Sequence, residues 1–368
     1  MIRIKVQNRT KAVLAPKSGL LPKAFVFALG VLLVYEPHFN CMIEVNAQTG
    51  ESLSLEALKN RALEGDPRTQ CELGLLYSIG MDFKYGLRVI TNGVEATKWF
   101  RMAADKGDAD GQSYLGDSYA CGTGVAKDSG EAIKWYLKCA EQGNHRGQFS
   151  SGMSYVFGLG VTTNYVDGAK WLRPIAEGTD TLYCSDAQAA LGKVYMDGGY
   201  GLCKDTTEAT KWCQMSAGNG NSTAMYLLGD MYEFGRGVEK NYAQAINWYR
   251  KADESGWHAT ARHRLGCLYE SGQGVGQDFA EAAKWYRKAA KGGNADSCLA
   301  LGCFYEQGQG VERDYVEAYA WVNLAASAGC PSARTKLDAL ERKLQTTQIL
   351  EAQKRTKEIK KELQASPN

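Results

Sequence analysis

The chain has 368 residues, which suits either two ordinary domains or one elongated array of repeats. It is rich in Gly (41) and Tyr (20) and poor in Pro (7), a composition typical of many short helices separated by glycine and unlike that of a sheet protein or a disordered chain. The formal net charge of +2 is small and the basic residues form no long stripe, so nucleic acid is not an expected partner.

Residues 1–35 differ from the rest of the chain. They carry six basic side chains and no acidic one, and they end in the apolar run AFVFALGVLLVY at 24–35. This run is too short to span about 30 Å of hydrocarbon as a helix, but it fits the central segment of a secretory signal, and residues 45–47 are small enough for cleavage. We expect residues 1–47 to be a signal peptide that exports the protein to the periplasm or beyond. The alternative is an uncleaved anchor in the inner membrane, which would be the only membrane contact.

The segment SLEALKNRALEG at 54–65 has the pattern of a short amphipathic helix. The first unit of a repeat array needs a cover on its outer side. We therefore expect residues 48–65 to form an N-terminal capping helix.

From residue 66 onward the chain repeats itself. Seven of the eight tryptophans are separated by 36, 36, 41, 36, 37 and 36 residues, and a glycine with a tyrosine three residues later follows the same period. The glycines are Gly74, Gly116, Gly152, Gly192, Gly229, Gly266 and Gly302; the tyrosines are Tyr77, Tyr119, Tyr155, Tyr195, Tyr232, Tyr269 and Tyr305; the tryptophans are Trp99, Trp135, Trp171, Trp212, Trp248, Trp285 and Trp321. The eighth, Trp257, is out of register.

Each unit is predicted to contain two helices. In the first, apolar residues recur at i, i+4 and i+8 on one face, as in Ala224, Leu228 and Tyr232. In the second, the tryptophan lies between small residues on one stripe. A glycine inside a helix costs about 1 kcal/mol relative to alanine, so the glycine in every first helix indicates a close helix contact. We expect the tryptophan ring to occupy this space.

Capping residues and glycines mark the ends of the helices. Asp or Asn followed three residues later by Glu or Gln predicts the start of a second helix at 92–95, 128–131, 205–208, 241–244, 278–281 and 314–317. A G-x-G followed by Val or Leu recurs at 122–125, 158–161, 199–202, 235–238, 272–275 and 308–311. Because a phosphate-binding loop follows a strand and is needed once, we interpret this motif as the turn between two helices.

These units resemble Sel-one-like repeats (SLR), which are relatives of the tetratricopeptide repeats. The family pattern A-x-x-x-L-G-x-x-Y-x-x-G-x-G-V-x-x-D-x-x-x-A-x-x-W-Y-x-K-A-A-x-x-G is met best at 224–256, 261–293 and 297–329, and the resemblance covers residues 66–329. It implies an all-α fold, a right-handed α/α solenoid of about seven helix-turn-helix repeats, and a role as an adaptor or scaffold for protein complexes. Exported bacterial members are associated with cell-envelope regulation and with contacts to host proteins.

A protein partner is expected on the concave wall formed by the first helices. Positions three before and one after the repeat glycine share a face beside the core stripe. The candidate contact residues on these two lines are Phe149, Tyr226 and His263, and Asp117, Lys193 and Asp230. Trp257 is a further candidate if its ring is exposed; the alternative is that it folds back on the next helix.

Several departures from the pattern have two interpretations each. Glu233, Glu270 and Glu306 form an acidic row, for which a solvated helix end is the simpler explanation than a binding site. Pro174 is expected to interrupt its helix before an insertion of four residues, so that 174–186 is either a tolerated surface loop or a hinge. Six extra residues follow Gly80 in the first unit.

Ten of the eleven cysteines follow residue 47; we expect most to be small buried residues, with one or two disulfides as the alternative.

Motifs for catalysis are absent from the sequence. It contains no H-E-x-x-H, G-x-S-x-G or S-x-x-K, and its four histidines lack metal-ligand neighbours, so we expect no catalytic, cofactor-binding or metal-binding residues.

Residues 330–368 are predicted to form C-terminal capping helices. The leading hypothesis is a non-catalytic exported scaffold that binds a protein. The alternatives are a membrane-anchored structural or regulatory component of the envelope, and an enzyme.

Overall fold

The computed structural model describes residues 54–81, 87–178, 182–256 and 258–365, and within these ranges the chain forms seventeen α-helices and no β-strand. The helices are α1 (Leu55–Leu63), α2 (Pro67–Ile79), α3 (Gly93–Asp105), α4 (Ala109–Cys121), α5 (Ser129–Glu141), α6 (His145–Phe157), α7 (Tyr165–Glu177), α8 (Cys184–Asp197), α9 (Thr206–Gly218), α10 (Ser222–Phe234), α11 (Tyr242–Ser255), α12 (Ala259–Ser271), α13 (Phe279–Lys291), α14 (Ala295–Gln307), α15 (Tyr315–Ser327), α16 (Pro331–Glu341) and α17 (Thr346–Ala365). The expected signal peptide and Trp257 lie outside the described residues.

Helices α2 to α15 form seven pairs, each with an even-numbered first helix and an odd-numbered second helix. Every helix in this range packs against the helix before it and the helix after it in the chain. First helices of neighbouring pairs also touch, as α2 touches α4 and α8 touches both α6 and α10. The fold is therefore an all-α solenoid, as predicted.

The second helices begin where their capping residues predict. In each case a side-chain oxygen at the N-cap accepts a hydrogen bond from a backbone N–H two or three residues further on, an interaction that stabilises a helix by about 1 kcal/mol. These N-caps are Asn92, Asp128, Asp205, Asn241, Asp278 and Asp314. Asn164 caps α7 in the same way, although the pattern there has Asp in place of Glu or Gln.

The glycine inside each first helix makes room for the second helix of its own pair. A Cβ on Gly229 would lie 2.4 Å from Cε1 of Tyr249, closer than atoms can approach. In every pair the residue in this space is the one directly after the tryptophan: Phe100, Tyr136, Leu172, Cys213, Tyr249, Tyr286 and Val322. The expectation that the tryptophan ring fills the space was wrong, because successive residues of a helix point about 100° apart. Trp99 instead lies in one buried cluster with Leu73 and Leu76 of α2 and with Leu58 of α1.

The second glycine of the G-x-G turn lets neighbouring pairs approach each other. Gly124 and Gly310 have φ of 72° and 64°, in the region that favours glycine. A Cβ on Gly124 would lie 2.0 Å from the carbonyl oxygen of Gly93, and one on Gly310 would lie 2.2 Å from the carbonyl carbon of Phe279. Gly93 and Phe279 are the first residues of second helices, so each turn packs directly on the helix start of the preceding pair.

The insertion between the third and fourth pairs follows a continuous helix. Pro174 lies inside α7, which continues to Glu177, so the expected interruption at the proline was wrong. Residues 179–181 lie outside the described part, but both flanks are packed: the Tyr183 ring stacks on Phe149 with centroids 4.9 Å apart, and the Cys184 thiol donates to the Gly178 carbonyl at 3.0 Å. In the first pair, residues 82–86 of the insertion lie outside the described ranges.

Both ends of the array are covered by additional helices. Leu58 and Ala62 of α1 are buried in one cluster with α2. At the other end, Leu340 of α16 and Ile359 of α17 join the cluster of the last pair. Helix α17 packs along α15 and also touches α13, the two preceding second helices. Among the described helices, none combines the length and the hydropathy that crossing a membrane requires.

Candidate functional site: the first-helix face

We call first-helix face the side chains of α2 to α14 at positions −3, −2, +1, +4 and +5 from the repeat glycine. The sequence-predicted contact residues at −3 and +1 belong to it. The structure buries Phe149 and Asp230, with 6% and 9% of their surface exposed, and half-buries Tyr226, His263 and Asp117. Only Lys193 of this set is exposed, and it pairs with Asp197 on the same helix. Phe149 and Asp230 were expected to contact a partner, but their burial makes them inaccessible to one.

The aromatic line at −3 connects successive first helices. Phe149 stacks on Tyr183, and Tyr226 stacks on His258 with ring centroids 4.6 Å apart. Tyr183 and His258 are the N-cap residues of the next first helices. Burial lowers the pKa of His258 to about 4, so its ring is neutral near pH 7. These rings therefore stabilise the contact between neighbouring pairs.

His263 lies between a thiol and a hydroxyl. Its Nδ1 hydrogen-bonds to Ser297 Oγ at 2.8 Å, and its Nε2 lies 3.6 Å from Cys267 Sγ. Burial lowers the pKa of His263 and raises the pKa of Cys267. A nucleophilic thiolate needs the opposite shift, so this arrangement favours neutral thiol and imidazole. Its hydrogen bond joins α12 to α14.

The two aspartates at +1 pair with cations. Asp117 accepts hydrogen bonds from the Tyr136 hydroxyl at 2.8 Å and from Arg146 of the next first helix. Asp230 pairs with Arg236 at 2.6 Å, although burial raises the pKa of its carboxyl. The contact of Asp117 with Arg146 therefore joins one pair to the next, whereas Asp230 and Arg236 belong to the same pair.

The acidic row at +4 is buried, so its interpretation as a solvated helix end was wrong for two of its members. Glu233 and Glu306 are 5% and 8% exposed, and Glu270 is half-buried. Glu233 accepts from the Tyr249 hydroxyl at 2.7 Å and pairs with Arg264 of the next first helix. Glu270 accepts from the Tyr286 hydroxyl at 2.5 Å.

Glu306 ends the row against the cap of the array. Lys336 and Lys343 both contact its carboxylate, Lys343 at 2.7 Å. Burial opposes the charge of this carboxylate, but the hydrogen bonds from the two ammonium groups lower its pKa. The acidic row therefore contributes to contacts within and between pairs, and its last member holds the C-terminal helices.

Exposed aromatic side chains of the first-helix face lie at +5, a position not among the contact residues expected from the sequence. Phe234 is 46% exposed, and the guanidinium carbons of Arg236 and Arg264 each lie 4.9 Å from its ring centroid. Phe157 at the same position of α6 is 37% exposed. The sequence signal that could have indicated these residues is an aromatic residue directly before a C-cap glycine. Such a residue ends its helix and lies outside the stripe of core residues.

The second helices carry a repeated set of cation–aromatic contacts. Lys138, Lys251 and Lys288 place Nζ 3.9, 4.4 and 4.1 Å from the ring centroids of the tryptophans three positions before them. Arg287 donates to the hydroxyl of Tyr305, the repeat tyrosine of the next pair, at 2.7 Å. The repeat tyrosines are therefore partly exposed groups that join pairs, besides packing on the core.

The ten cysteines in the described part of the chain are all free thiols. Six are buried: Cys71, Cys139, Cys184, Cys213, Cys298 and Cys330. Cys121 and Cys203 are exposed, and Cys267 and Cys303 are half-buried. Most of these cysteines thus act as small apolar residues, as expected, and no disulfide joins any two of them. In the same residues no three His, Cys, Asp or Glu side chains converge as metal ligands would.

Seven stacked helix pairs, with glycine contacts within each pair and between pairs, define an α-solenoid repeat protein. The family model for the Sel1 repeat matches residues 67–108, 109–144, 145–180, 185–221, 222–256, 259–294 and 295–330. The chain therefore belongs to the Sel1 repeat family, whose repeats generally mediate protein–protein interaction in non-catalytic scaffolds.

Similar solved structures come from several bacteria. A Sel1 repeat protein from Oxalobacter formigenes is 30% identical over 85% of both chains, with a TM-score of 0.63. A protective antigen of uropathogenic Escherichia coli with an SLR fold is 30% identical over 83% of this chain and 78% of that one, with a TM-score of 0.39. A Sel1 repeat protein from Klebsiella pneumoniae is 23% identical over 57% of this chain and 97% of that one, with a TM-score of 0.37.

Proposed function

We propose that this protein is a non-catalytic scaffold that binds a protein partner on the first-helix face, centred on Phe234. Membership of the Sel1 repeat family supports the general role. The exposed Phe234 ring between two arginines supports the location. Most other large side chains on this face are buried or paired with each other, as described above.

Phe234 has the properties of a contact anchor. Its ring is held in place, because Arg264 beside it is fixed by the ion pair with the buried Glu233. A rigid aromatic residue loses little conformational entropy on binding, and aromatic residues and arginine are enriched among residues that contribute most to interfaces. Phe157, two pairs earlier at the same position, extends the surface.

Affinity capture tests this proposal with three variants of the full chain. Phe234→Ala and the double variant Phe157→Ala/Phe234→Ala should bind the partner that the unchanged protein captures with an affinity at least about tenfold lower. This is the change expected when a contact of about 1.5 kcal/mol is lost. Leu350→Ala is the matched control, because Leu350 is 61% exposed but lies on α17. Equal capture by all variants, with unchanged circular dichroism, would contradict a partner site at Phe234.

Export to the periplasm or beyond is the second part of the proposal. It is supported by the basic segment and the apolar run at 24–35. Sequencing the N-terminus of protein purified from its native host tests it. A start near Gln48 supports export with cleavage, whereas retention of 24–35 in a membrane fraction supports the anchored component instead.

A further inference from the structure

A groove of about 390 Å³ lies on the second-helix side of the first two pairs. It is lined on α3 by Val94, Thr97, Lys98, Arg101, Met102 and Asp105, and on the other side by the turn at 124–125. The six residues on α3 are spaced three and four apart and therefore share one helical face. Val94 is 65% exposed, so the apolar floor of the groove is open to solvent.

The equivalent face of the last pair is covered by a helix of this chain. Helix α15 begins after Asp314 as α3 begins after Asn92, so Lys98 corresponds to Ala320 and Arg101 to Asn323. Helix α17 packs along α15 there. Asn323 Nδ2 donates to Thr356 Oγ1 at 3.4 Å, Arg355 pairs with Glu317, and Ala320 is fully buried.

The groove on α3 repeats the apolar pattern of the covered face. Val94 and Met102 occupy the positions of Val316 and Leu324, which pack under the C-terminal cluster. In the second, fifth and sixth pairs the position equivalent to Met102 holds lysine, and the position equivalent to Val94 holds glycine or alanine. The first pair therefore offers the kind of floor on which α17 rests in the last pair.

The charges beside the floor differ between the two faces. The lining of the groove holds two cations, Lys98 and Arg101, and one carboxylate, Asp105, where α15 has the neutral Ala320, Asn323 and Ser327. Lys98 pairs with Glu95 at 3.8 Å, and this ion pair is exposed and therefore weak. Residues 351–362 of α17 carry five basic and three acidic side chains. The α15 face pairs Glu317 with Arg355 of the basic helix α17 and holds no cation at the positions of Lys98 and Arg101, whereas these two cations on α3 favour an acidic helix.

We propose that this groove is the docking site for an amphipathic helix of a partner protein that has an apolar face and acidic flanks. The same charges disfavour α17 of a second copy. If α17 of one copy docked on α3 of the next, the head-to-tail contact could repeat from copy to copy and form an open filament. Lys98 and Arg101 oppose this contact and therefore also oppose filament growth. This site lies on α3, apart from Phe234 on α10, and does not depend on the function proposed above.

Two synthetic peptides and the full chain test the proposal by fluorescence anisotropy. The first peptide has the sequence of residues 346–365, and the second is the same with its four lysines replaced by glutamate. We expect the acidic peptide to bind at least about tenfold more tightly, and Lys98→Glu or Val94→Asp to weaken its binding by about tenfold. Both substituted residues are exposed, so the fold is retained, which circular dichroism checks.

Lys134→Glu is the matched control, because Lys134 holds the position of Lys98 on α5 but has Gly130 and Lys138 beside it in place of an apolar floor. It should leave the affinity unchanged. The proposal is overturned if neither peptide binds, if both bind equally, or if Lys134→Glu weakens binding as much as Lys98→Glu.

Discussion

Gly229 on α10 and Tyr249 on α11 are in direct contact, with only 2.4 Å between the place of a glycine Cβ and Cε1 of the ring. Tyr249 is fully buried, and its hydroxyl donates to the buried Glu233. The ring is therefore fixed at both ends, and the backbone of α10 lies against it. The same approach in all seven pairs explains why the first helices retain a residue of low helix propensity.

Gly229→Ala should destabilise the protein, because the added methyl group forces Tyr249 or α10 to move. The expected loss is about 1–3 kcal/mol in the free energy of unfolding, seen as a lower urea midpoint. Gly218→Ala is the control: Gly218 also lies in a helix, and a Cβ there meets no atom within 4 Å. Helix propensity alone would make both substitutions neutral or stabilising, so an equal change in the two variants would contradict a destabilising contact with Tyr249.

Gly310→Ala should cost more stability than Gly293→Ala. Both glycines have positive φ, 64° and 82°, so both substitutions carry a backbone strain of about 1 kcal/mol. A Cβ on Gly293 meets nothing within 4 Å, whereas one on Gly310 would lie 2.2 Å from the backbone of Phe279. Thermal unfolding of the two variants measures the difference, which is the contribution of the contact between pairs. Equal melting temperatures would contradict a required close approach.

Glu306→Gln should destabilise the protein at pH 7 by about 1–2 kcal/mol, because it removes a carboxylate held by two ammonium groups. The lowered pKa of Glu306 means that its stabilising effect is complete above the ordinary glutamate pKa of about 4.3 and is lost as the pH falls through the folded-state value. Urea unfolding at pH 7 and pH 3 should therefore show a smaller difference at pH 3. Glu312→Gln, in an exposed turn, is expected to show no difference at either pH.

Among the described cysteines, Cys203 should react rapidly with a thiol reagent in the native protein, and Cys213 only on unfolding. Cys203 is exposed, whereas Cys213 is fully buried against Gly192 and burial raises its pKa to about 12. Mass spectrometry after brief labelling measures the modified fraction at each site. Labelling of Cys213 at the rate of Cys203 would contradict the packing of α9 on α8.

Sequence patterns were sufficient for the helices and their order. Capping residues such as Asp278 and Asp314 act through backbone groups two or three residues away, so the local sequence contains all the information that positions a helix start. The first-helix face was predicted less well. Phe149 and Asp230 were correctly placed on this face, but their burial depends on Tyr183 and Arg236, six or more residues away.

The repeat of tryptophan, glycine and tyrosine by itself determined that this chain is a solenoid of helix pairs, because side-chain periodicity on a helix fixes which residues share a face. Only the tertiary structure decided which neighbour each face receives. Tyr249 rather than Trp248 enters the space beside Gly229, and Glu233 meets Arg264, thirty-one residues further on. Such contacts depend on the rotation and separation of two packed helices, which no spacing within one helix specifies.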